Sequence, residues 1–370
     1  MRITAAFRGF YAMFVVLLLA LAAAAQTPAG PLVKHLVVLP TKENPRNSEG
    51  SFAILKDGRV LFVYSRFRGG SDEAAADLVS RVSSDDGRTW SGPQQVVGRE
   101  GAMNVMSASL LRLADGSIAL FYLVKNSMTD CRLHMLSSSD EAGSWHEPRL
   151  CVPEDGYFVV NNDRVIQLKS GRLVVPAAQH HYAATKDIPA SGRGEATCFL
   201  SDDAGKTWRR AAATLIAPRR SRSGFQEPAV VELKDGSLLM LTRTDLGSQF
   251  CSTSTDGGEN WTPAVPTDLA SPLSPGSIKR VPTTGELMVI WNDHRNVPAA
   301  LANKRTPLSV ALSSDEGKTW RPSKTLEADP NGYYCYTAIL FRDDRVLLAY
   351  GGLAGKPLTI ASFAIDWLHH

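Results

Sequence analysis

Glu227 and Arg243 are the residues whose types and setting most clearly suggest chemistry in this sequence. Glu227 stands directly before the apolar run 228–231, where it breaks the alternation of polar and apolar side chains that a strand pair would show. A carboxylate in such a place is costly unless it is paired or faces a cleft. Arg243 ends the next β-rich segment, and charged groups set in this way tend to mark functional sites. The two residues therefore predict a charged binding site.

These residues flank one copy of a repeated turn. The segment 233–238 reads Leu-Lys-Asp-Gly-Ser-Leu, and similar segments occur at 55–60, 113–118 and 168–173, with weaker copies near 284–287 and 343–346. Each has β-rich apolar residues before and after a short Gly or Asp turn, which is typical of a tight β-hairpin. The sequence therefore predicts six hairpins.

The hairpins can be aligned by their turns. Eight residues before the turn lie Glu49, Ser107, Asn162, Glu227, Gly276 and Tyr336. At the exit of the second strand lie Arg66, Lys125, Gln179 with His180, Arg243, Asn292 and Tyr350. Hairpin geometry places both sets at the same end of the assembly. We therefore expect a ring of polar and ionisable groups around a single pocket.

A second repeat, the Asp-box, alternates with the hairpins. Its pattern is Ser-x-Asp-x-Gly-x-Thr-Trp, with small departures, at 83–90, 138–145, 201–208, 254–261 and 313–320. Ser and Asp bond nearby amides and Gly allows the turn, while the Trp can bury a large surface between units. We interpret the Asp-boxes as scaffold rather than as catalytic groups.

The two repeats together predict an all-β fold. A unit of strand, turn, strand, loop, strand, Asp-box and strand, repeated radially, gives a six-bladed β-propeller of four-stranded antiparallel blades. The sixth unit lacks an Asp-box and a fourth strand. We expect the run 33–39 to supply that strand and close the ring, so that 26–370 form one propeller domain.

Residues 1–25 are predicted to be a signal peptide. Arg2 and Arg8 precede an apolar run that ends in Ala23-Ala24-Ala25, and no Cys follows that would carry a lipid anchor. We therefore expect a secreted or periplasmic protein without a membrane anchor. Loss of the two arginines lowers the formal charge from +3 to +1, which gives no reason to expect nucleic-acid binding.

The five cysteines show no metal-site spacing, and we expect no metal or organic cofactor. A disulfide between Cys131 and Cys151 stays an open alternative.

The Asp-boxes, the hairpins, the run Glu-x-x-Val-Val-Glu-Leu-x-Asp-Gly followed by Arg243, and Arg305 before an Asp-box resemble the sialidase (neuraminidase) superfamily. This resemblance implies a Tyr nucleophile at the start of the last blade, which is Tyr336 here. It implies that Glu227 polarises that Tyr, and a carboxylate that takes the proton makes a phenol a better nucleophile. It also implies an acid/base Asp after the first hairpin, best matched by Asp72, with Glu73 and Asp77 as rivals.

The resemblance further implies three arginines that grip a substrate carboxylate. Arg243 and Arg305 match the second and third, whose planar donor forks suit this task. The place of the first reads Ser48-Glu49-Gly50, and neither Arg46 nor Arg66 is in register. The first arginine is thus expected to be missing, which favours a changed sugar specificity.

Several other residues are candidates for substrate binding at the same rim. Glu49 could bind sugar hydroxyls, act as a second carboxylate or pair with Arg66. The remaining candidates are Arg66, Asn162, Asp163, His180 and His294.

The expected function is a monomeric exo-glycosidase that hydrolyses terminal sialic acid, or a related carboxylated sugar, from a glycan. One alternative is a uronate-directed lyase or hydrolase on the same fold, with Glu49 and His180 or His294 in play. The other is a propeller that binds glycans or proteins without catalysis.

Overall fold

The computed structural model describes residues 32–184 and 190–370, so the predicted signal peptide at 1–25 lies outside the described residues. The regular secondary structure of the described chain consists of β-strands, apart from two short 3₁₀ helices at Ala299–Leu301 and Ile365–His369. None of its helices is long and apolar enough to cross a bilayer.

The described chain has 25 strands, labelled in chain order. They are β1 Val33–Val38, β2 Arg46–Ile54, β3 Val60–Phe67, β4 Ala76–Ser83, β5 Gln94–Val97, β6 Asn104–Arg112, β7 Ile118–Ser127, β8 Asp130–Ser138, β9 Arg149–Leu150, β10 Tyr157–Val159, β11 Ile166–Gln167, β12 Leu173–His180, β13 Gly194–Ser201, β14 Arg209–Arg210, β15 Gln226–Glu232, β16 Leu238–Arg243, β17 Ser248–Ser254, β18 Val265–Ala270, β19 Ser277–Arg280, β20 Leu287–Trp291, β21 Leu308–Ser313, β22 Lys324–Glu327, β23 Ala338–Arg342, β24 Arg345–Gly351 and β25 Leu358–Ala364.

The strands form antiparallel sheets in a propeller arrangement. Four of the sheets have four strands each, namely β2–β5, β15–β18, β19–β22, and β23–β25 with β1. In the last of these, β1 pairs antiparallel with β25 as the outer strand, with Val37 opposite Thr359. The chain therefore uses its first described strand to complete its last sheet, where the sequence placed it.

The prediction of six separate four-stranded blades differs from the structure, which has four such sheets and one nine-stranded sheet, β6–β14. The short strand β10 is the cause. It pairs antiparallel with β12 and meets β8 at the single parallel pair Tyr157 and Cys131. Hydrogen bonding thus continues from one half of this sheet to the other.

Buried apolar side chains fill the spaces between neighbouring sheets. One cluster joins Phe62 of β3 to Ala349 and Ile360 of the last sheet, so the first and last sheets are in contact. Another cluster lies between the two halves of the nine-stranded sheet, where Phe121 of β7 packs with Phe199 of β13. The core is therefore spread around the ring rather than gathered in a single place.

The Asp-boxes form the predicted turns. In the box at 201–208, the amide of Gly205 donates to Ser201 Oγ at 2.9 Å, and Thr207 donates to Asp203 from both its amide and its hydroxyl. The Trp208 ring then meets Phe121 edge-on, with centroids 6.1 Å apart. This contact ties the box to the preceding unit, as expected for a scaffold.

All five cysteines have free thiols, so the disulfide between Cys131 and Cys151 is not formed.

Candidate active site

The first strands of several sheets share a backbone irregularity near their start. Strands β2, β6 and β15 each carry a register shift near their start. At these shifts Glu49, Ser107 and Glu227 have φ of +58°, +61° and +45°, and Tyr336, just before β23, has +56°. Side chains rarely adopt this conformation, and such outliers cluster at functional sites. All four residues line the same cavity.

This cavity has a volume of about 310 Å³ and is rich in charge. Three arginines and three carboxylates line it, namely Arg46, Arg243, Arg305, Glu49, Asp72 and Glu227. Its aromatic lining consists of Tyr157, His180, Tyr182, Tyr333 and Tyr336. The structure thus brings together the three predicted catalytic residues, Tyr336, Glu227 and Asp72, with Arg243, Arg305, Glu49 and His180.

Tyr336 is the residue that the family resemblance implies as the nucleophile. Burial and the nearby charge of Glu227 raise the pKa of Tyr336 to about 12, although Arg305 and Arg243 oppose this shift. Its hydroxyl has no hydrogen-bond partner within residues 32–184 and 190–370. The phenol is therefore neutral near pH 7 and needs a base before it can attack a sugar.

Glu227 is a carboxylate of the cavity whose charge acts on the pKa of Tyr336. Arg243 donates from Nη1 to Glu227 Oε2 at 2.5 Å, and both side chains are nearly buried. Nothing in the described chain donates a hydrogen bond to Oε1 of Glu227. One oxygen is thus fixed by Arg243 while the other can accept a proton.

Arg305 has a different environment from the other two arginines. Its Nη1 donates to Cys335 Sγ at 2.9 Å, and no carboxylate of the described residues pairs with it. Its guanidinium carbon lies 5.1 Å from the ring centroid of Tyr333 and 5.2 Å from that of Tyr336. A largely buried guanidinium without a counter-ion favours binding of an anion.

Arg46 lines the cavity, although its position in the sequence is out of register with the expected first arginine. Its Nη2 donates to Glu49 Oε1 at 2.5 Å, its Nη1 to Asp72 and its Nε to Ser48 Oγ at 3.2 Å. The cavity therefore holds three arginines, namely Arg243 and Arg305, which were predicted, and Arg46, which was not. Arg46 differs from Arg305 because its donors are already occupied by two carboxylates.

Glu49 pairs with Arg46 and not with Arg66. Ser107 Oγ donates to its second oxygen at 2.9 Å, and burial raises the pKa of Glu49 despite the Arg46 charge. Arg66 lies outside the cavity lining and forms a two-pronged pair with Asp77 at 2.9 and 2.7 Å. The structure therefore gives Arg66 no contact with the cavity.

Asp72 is exposed at the mouth of the cavity. Burial of its surroundings would raise the pKa of Asp72, but the charge and hydrogen bond of Arg46 lower it below its usual value. Its backbone oxygen accepts from Asn104 Nδ2 at 2.8 Å and Lys125 Nζ at 3.3 Å, which fixes the loop. The rivals Glu73 and Asp77 do not line the cavity.

Asn162 and Asp163 were predicted to bind substrate, but neither lines the cavity. Asn162 Nδ2 donates to the backbone oxygens of Gly50, at 2.6 Å, and Tyr336, at 3.0 Å. Asp163 accepts from Ser51 Oγ and the Ile339 amide, each at 2.9 Å. Asn162 therefore helps to hold the backbone of Tyr336, while Asp163 links β2 to β23 through Ser51 and Ile339.

The two candidate histidines differ in their position relative to the cavity. His180 lines the cavity, and its Nδ1 lies 3.0 Å from the oxygen of Gly192. Burial lowers the pKa of His180, which keeps the ring neutral near pH 7. His294 lies outside the lining, with Nε2 3.1 Å from the oxygen of Thr306.

Three tyrosines that were not predicted as site residues also line the site, namely Tyr157, Tyr182 and Tyr333. Tyr157 lies on β10, which no repeat marks, and Tyr182 follows β12. Tyr182 and Tyr333 each had a signal in the sequence, because they lie two and three residues from the predicted site residues His180 and Tyr336. No group of three or more His, Cys, Asp or Glu side chains is arranged to hold a metal in the described part of the chain.

Known proteins resemble this chain in both sequence and fold. The sialidase of Micromonospora viridifaciens is 27% identical over 354 residues, covering 86% of this chain and 51% of that protein. The chain thus spans about half the length of that relative, and smaller shares of the other curated relatives it matches.

Two solved structures share the fold. A protein of unknown function from Dyadobacter fermentans superposes with a TM-score of 0.71 at 20% identity, over 91% of this chain and 98% of that one. A Hadza microbial sialidase gives a TM-score of 0.70 at 19% identity, over 88% and 66% of the two chains. The family model of the BNR repeat-like domain matches residues 59–348. This match covers most of the chain, which therefore belongs to the BNR-repeat family of the sialidase propeller superfamily.

Proposed function

We propose that this protein is a glycoside hydrolase of sialidase type that releases a terminal carboxylated sugar, sialic acid or a related acid, from a glycan. The observation that carries the proposal is Arg305, a guanidinium without a carboxylate partner in the described chain, beside the neutral phenol of Tyr336. A carboxylated sugar would complete the charge of this site. The sialidase relatives support the same reaction class.

In the first step, the free oxygen of Glu227 takes the proton of Tyr336. The phenolate oxygen then attacks the anomeric carbon, and the bond to the leaving oxygen breaks as Asp72 donates its proton there. The phenol is neutral until Glu227 takes its proton, so Tyr336 does not repel the carboxylate that Arg305 holds while the substrate binds. The product of this step is a sugar bound to Tyr336.

In the second step, ionised Asp72 takes a proton from water, and the water oxygen attacks the anomeric carbon. The bond to Tyr336 breaks, and the phenolate regains its proton from Glu227. Every group then returns to its starting state, and no cofactor enters the cycle.

The three arginines have different roles in substrate binding in this proposal. Arg305 and Arg243 hold the carboxylate, because Arg305 has no counter-ion in the described chain and Arg243 has only Glu227. Arg46 is paired with Glu49 and Asp72, so this side of the cavity offers acceptors to sugar hydroxyls. Glu49 therefore favours a sugar with a hydroxyl group near Ser107.

The proposed localisation, oligomeric state and number of blades are those expected from the sequence. We infer that the signal peptide directs the protein out of the cytoplasm, where it acts as a monomer on a glycan. The two halves of the nine-stranded sheet, β6–β9 and β11–β14, would serve as two blades and complete a six-bladed ring.

Hydrolysis of an aryl α-sialoside by the purified protein tests the proposal, beside aryl uronides and neutral aryl glycosides. Release from the sialoside or another carboxylated glycoside is expected, with no release from the neutral set. Turnover of neutral glycosides alone, or of none, would contradict the proposal. An unsaturated sugar product would instead identify a lyase.

A further inference from the structure

A second cavity lies at the opposite end of the inner strands from the candidate active site. Its volume is about 440 Å³, and among the described residues it shares no lining residue with the first cavity. On β6, Ser107 lines the first cavity, whereas Leu110 and Leu111 line the second. On β15, Glu227 lines the first cavity and Val231 lines the second. We call this second site the far cavity.

A polar link crosses the ring between the two cavities. Asp163 accepts from Ser51 Oγ and from the Ile339 amide, each at 2.9 Å. Along the chain, Ile339 lies between Tyr336, which lines the first cavity, and Phe341, which lines the far cavity. A ligand in the far cavity would therefore occupy a site of its own, apart from the residues that would hold the sugar.

The wall of the far cavity is built from apolar side chains of five strands. Leu111, Ile166 and Phe341 are half-buried, while Val231 and Ile278 are 8% and 5% exposed. Cavities of this size with apolar walls and a few polar groups commonly bind small molecules. The wall therefore favours a ligand with an apolar body.

The charged groups of the far cavity are mostly cations. Five cations and two carboxylates line it, namely Arg164, Lys169, Lys234, Lys279 and Arg280, with Asp163 and Glu232. Lys279 pairs with Asp163 at 2.7 Å. Glu316, which stands outside the lining, pairs with Arg280 at 2.6 Å and with Lys234 at 3.5 Å. Cations still outnumber carboxylates when Glu316 is counted, and a cleft with an excess of positive charge favours an anion.

Two of these cations are exposed at the rim. Lys169 and Lys234 occupy the same position in two of the hairpin turns, and both are exposed. Arg164, by contrast, is buried, and its guanidinium donates to the Gly276 oxygen at 3.0 Å and to Ser277 Oγ at 3.2 Å. A carboxylate at the rim would stay in contact with water and avoid the cost of burying a charge. The rim therefore suits the anionic group of a ligand, and the interior suits its apolar body.

We propose that the far cavity is a second ligand site, which takes a small amphipathic anion with its apolar body inside and its carboxylate beside Lys169 and Lys234. A medium-chain alkyl carboxylate is the simplest molecule of this class. The inference goes beyond the proposed function, because none of the residues that line the far cavity takes part in the proposed hydrolysis. Binding can be measured without turnover, so the test of this site does not depend on whether the protein hydrolyses glycosides.

Titration calorimetry of the purified protein with decanoate tests the site. We expect saturable binding of decanoate and no binding of acetate, which has the carboxylate but no apolar body. Octanoate should bind roughly three- to tenfold more weakly than decanoate, because two fewer methylene groups are buried. Decyltrimethylammonium carries the same tail on a cation and should bind roughly tenfold more weakly. No binding of decanoate, or equal binding of the cationic analogue, would overturn the proposal.

Three variants locate the binding site. In the double variant Lys169→Gln and Lys234→Gln, decanoate should bind roughly three- to tenfold more weakly, because the positive charge at the rim is lost. Lys56→Gln is the matched control, since Lys56 takes the same position in the first hairpin turn but does not line the far cavity. Arg305→Met, in the first cavity, should also leave the affinity for decanoate unchanged. Wild-type affinity in the double variant would overturn the proposal, and so would loss of binding in Arg305→Met, which would place decanoate in the first cavity.

Discussion

The guanidinium carbon of Arg305 lies 5.2 Å from the centroid of the Tyr336 ring, and the described chain offers Arg305 no carboxylate. Its charge lowers the pKa of Tyr336, against burial and the Glu227 charge that raise it. In the proposed reaction Arg305 therefore has two effects. It binds the substrate carboxylate, and it stabilises the phenolate that forms on Tyr336.

Two substitutions of Arg305 separate the effect of its charge on substrate binding from the effect of its planar hydrogen-bonding geometry. Arg305→Met should weaken binding of the carboxylated substrate by about 2–3 kcal/mol, because the charged hydrogen bonds are lost. Arg305→Lys keeps the charge but not the planar fork, so we expect an intermediate loss. Steady-state kinetics of the two variants would measure the effect. Unchanged KM and kcat in Arg305→Met would show that the carboxylate binds elsewhere.

The pH dependence of kcat/KM should follow Asp72. The reaction needs protonated Asp72, and Arg46 lowers the pKa of Asp72 below its usual value of about 4, so kcat/KM should fall as the pH rises through the acid range, before neutral pH is reached. In Arg46→Gln this pKa should rise, which moves the fall to higher pH. Arg68→Gln is a matched control, because among residues 32–184 and 190–370 the Arg68 side chain pairs only with Asp77. Superimposable profiles for wild type and Arg46→Gln would exclude Asp72 as the acid.

The Asp-boxes should contribute to the loss of folding stability at low pH. Hydrogen bonds from Thr207 and Ser201 lower the pKa of Asp203 to about 2, from 3.8 in an unfolded chain. Since the folded-state pKa is the lower one, this contribution is complete above about pH 4 and is lost as pH falls toward about 2. In Asp203→Asn, the Tm should depend less on pH across that window. An identical pH slope of Tm would contradict the role of the box.

Asn162 should matter for both stability and turnover. Asn162→Ala leaves the buried oxygens of Gly50 and Tyr336 without their donor, at a cost of about 1–3 kcal/mol each. It also removes a contact that holds the backbone of Tyr336, the proposed nucleophile, so kcat should fall more than KM changes. Urea unfolding and kinetics would measure both effects, with the exposed Asn331→Ala as control. A variant with wild-type stability and kcat would refute this role.

Much of the site could be predicted from the hairpin register. Counting back from each turn selected Glu49, Ser107, Glu227 and Tyr336, and all four line the cavity. The count works because an antiparallel ladder fixes each position relative to its turn. Asn162 was selected by the same count, but there the backbone turns one residue later, at Asp163, and the side chains point beneath the site.

Other features depend on contacts that no local pattern encodes. Arg46 reaches the cavity because the bulge in β2 and the left-handed Glu49 change the direction of the strand, which spacing alone does not reveal. The three residues of β10 join two predicted blades through one pair, Tyr157 and Cys131. Tyr182 becomes part of the site only by packing on His180.

The central claim is that Tyr336 is the nucleophile, and Tyr336→Phe tests it most directly because it removes only the hydroxyl. We compare its rate on the best carboxylated aryl glycoside with that of wild type and of Tyr334→Phe, a neighbouring tyrosine outside the cavity. The account predicts that turnover is lost in Tyr336→Phe, with unchanged unfolding, and kept in Tyr334→Phe. Full activity in Tyr336→Phe would contradict it.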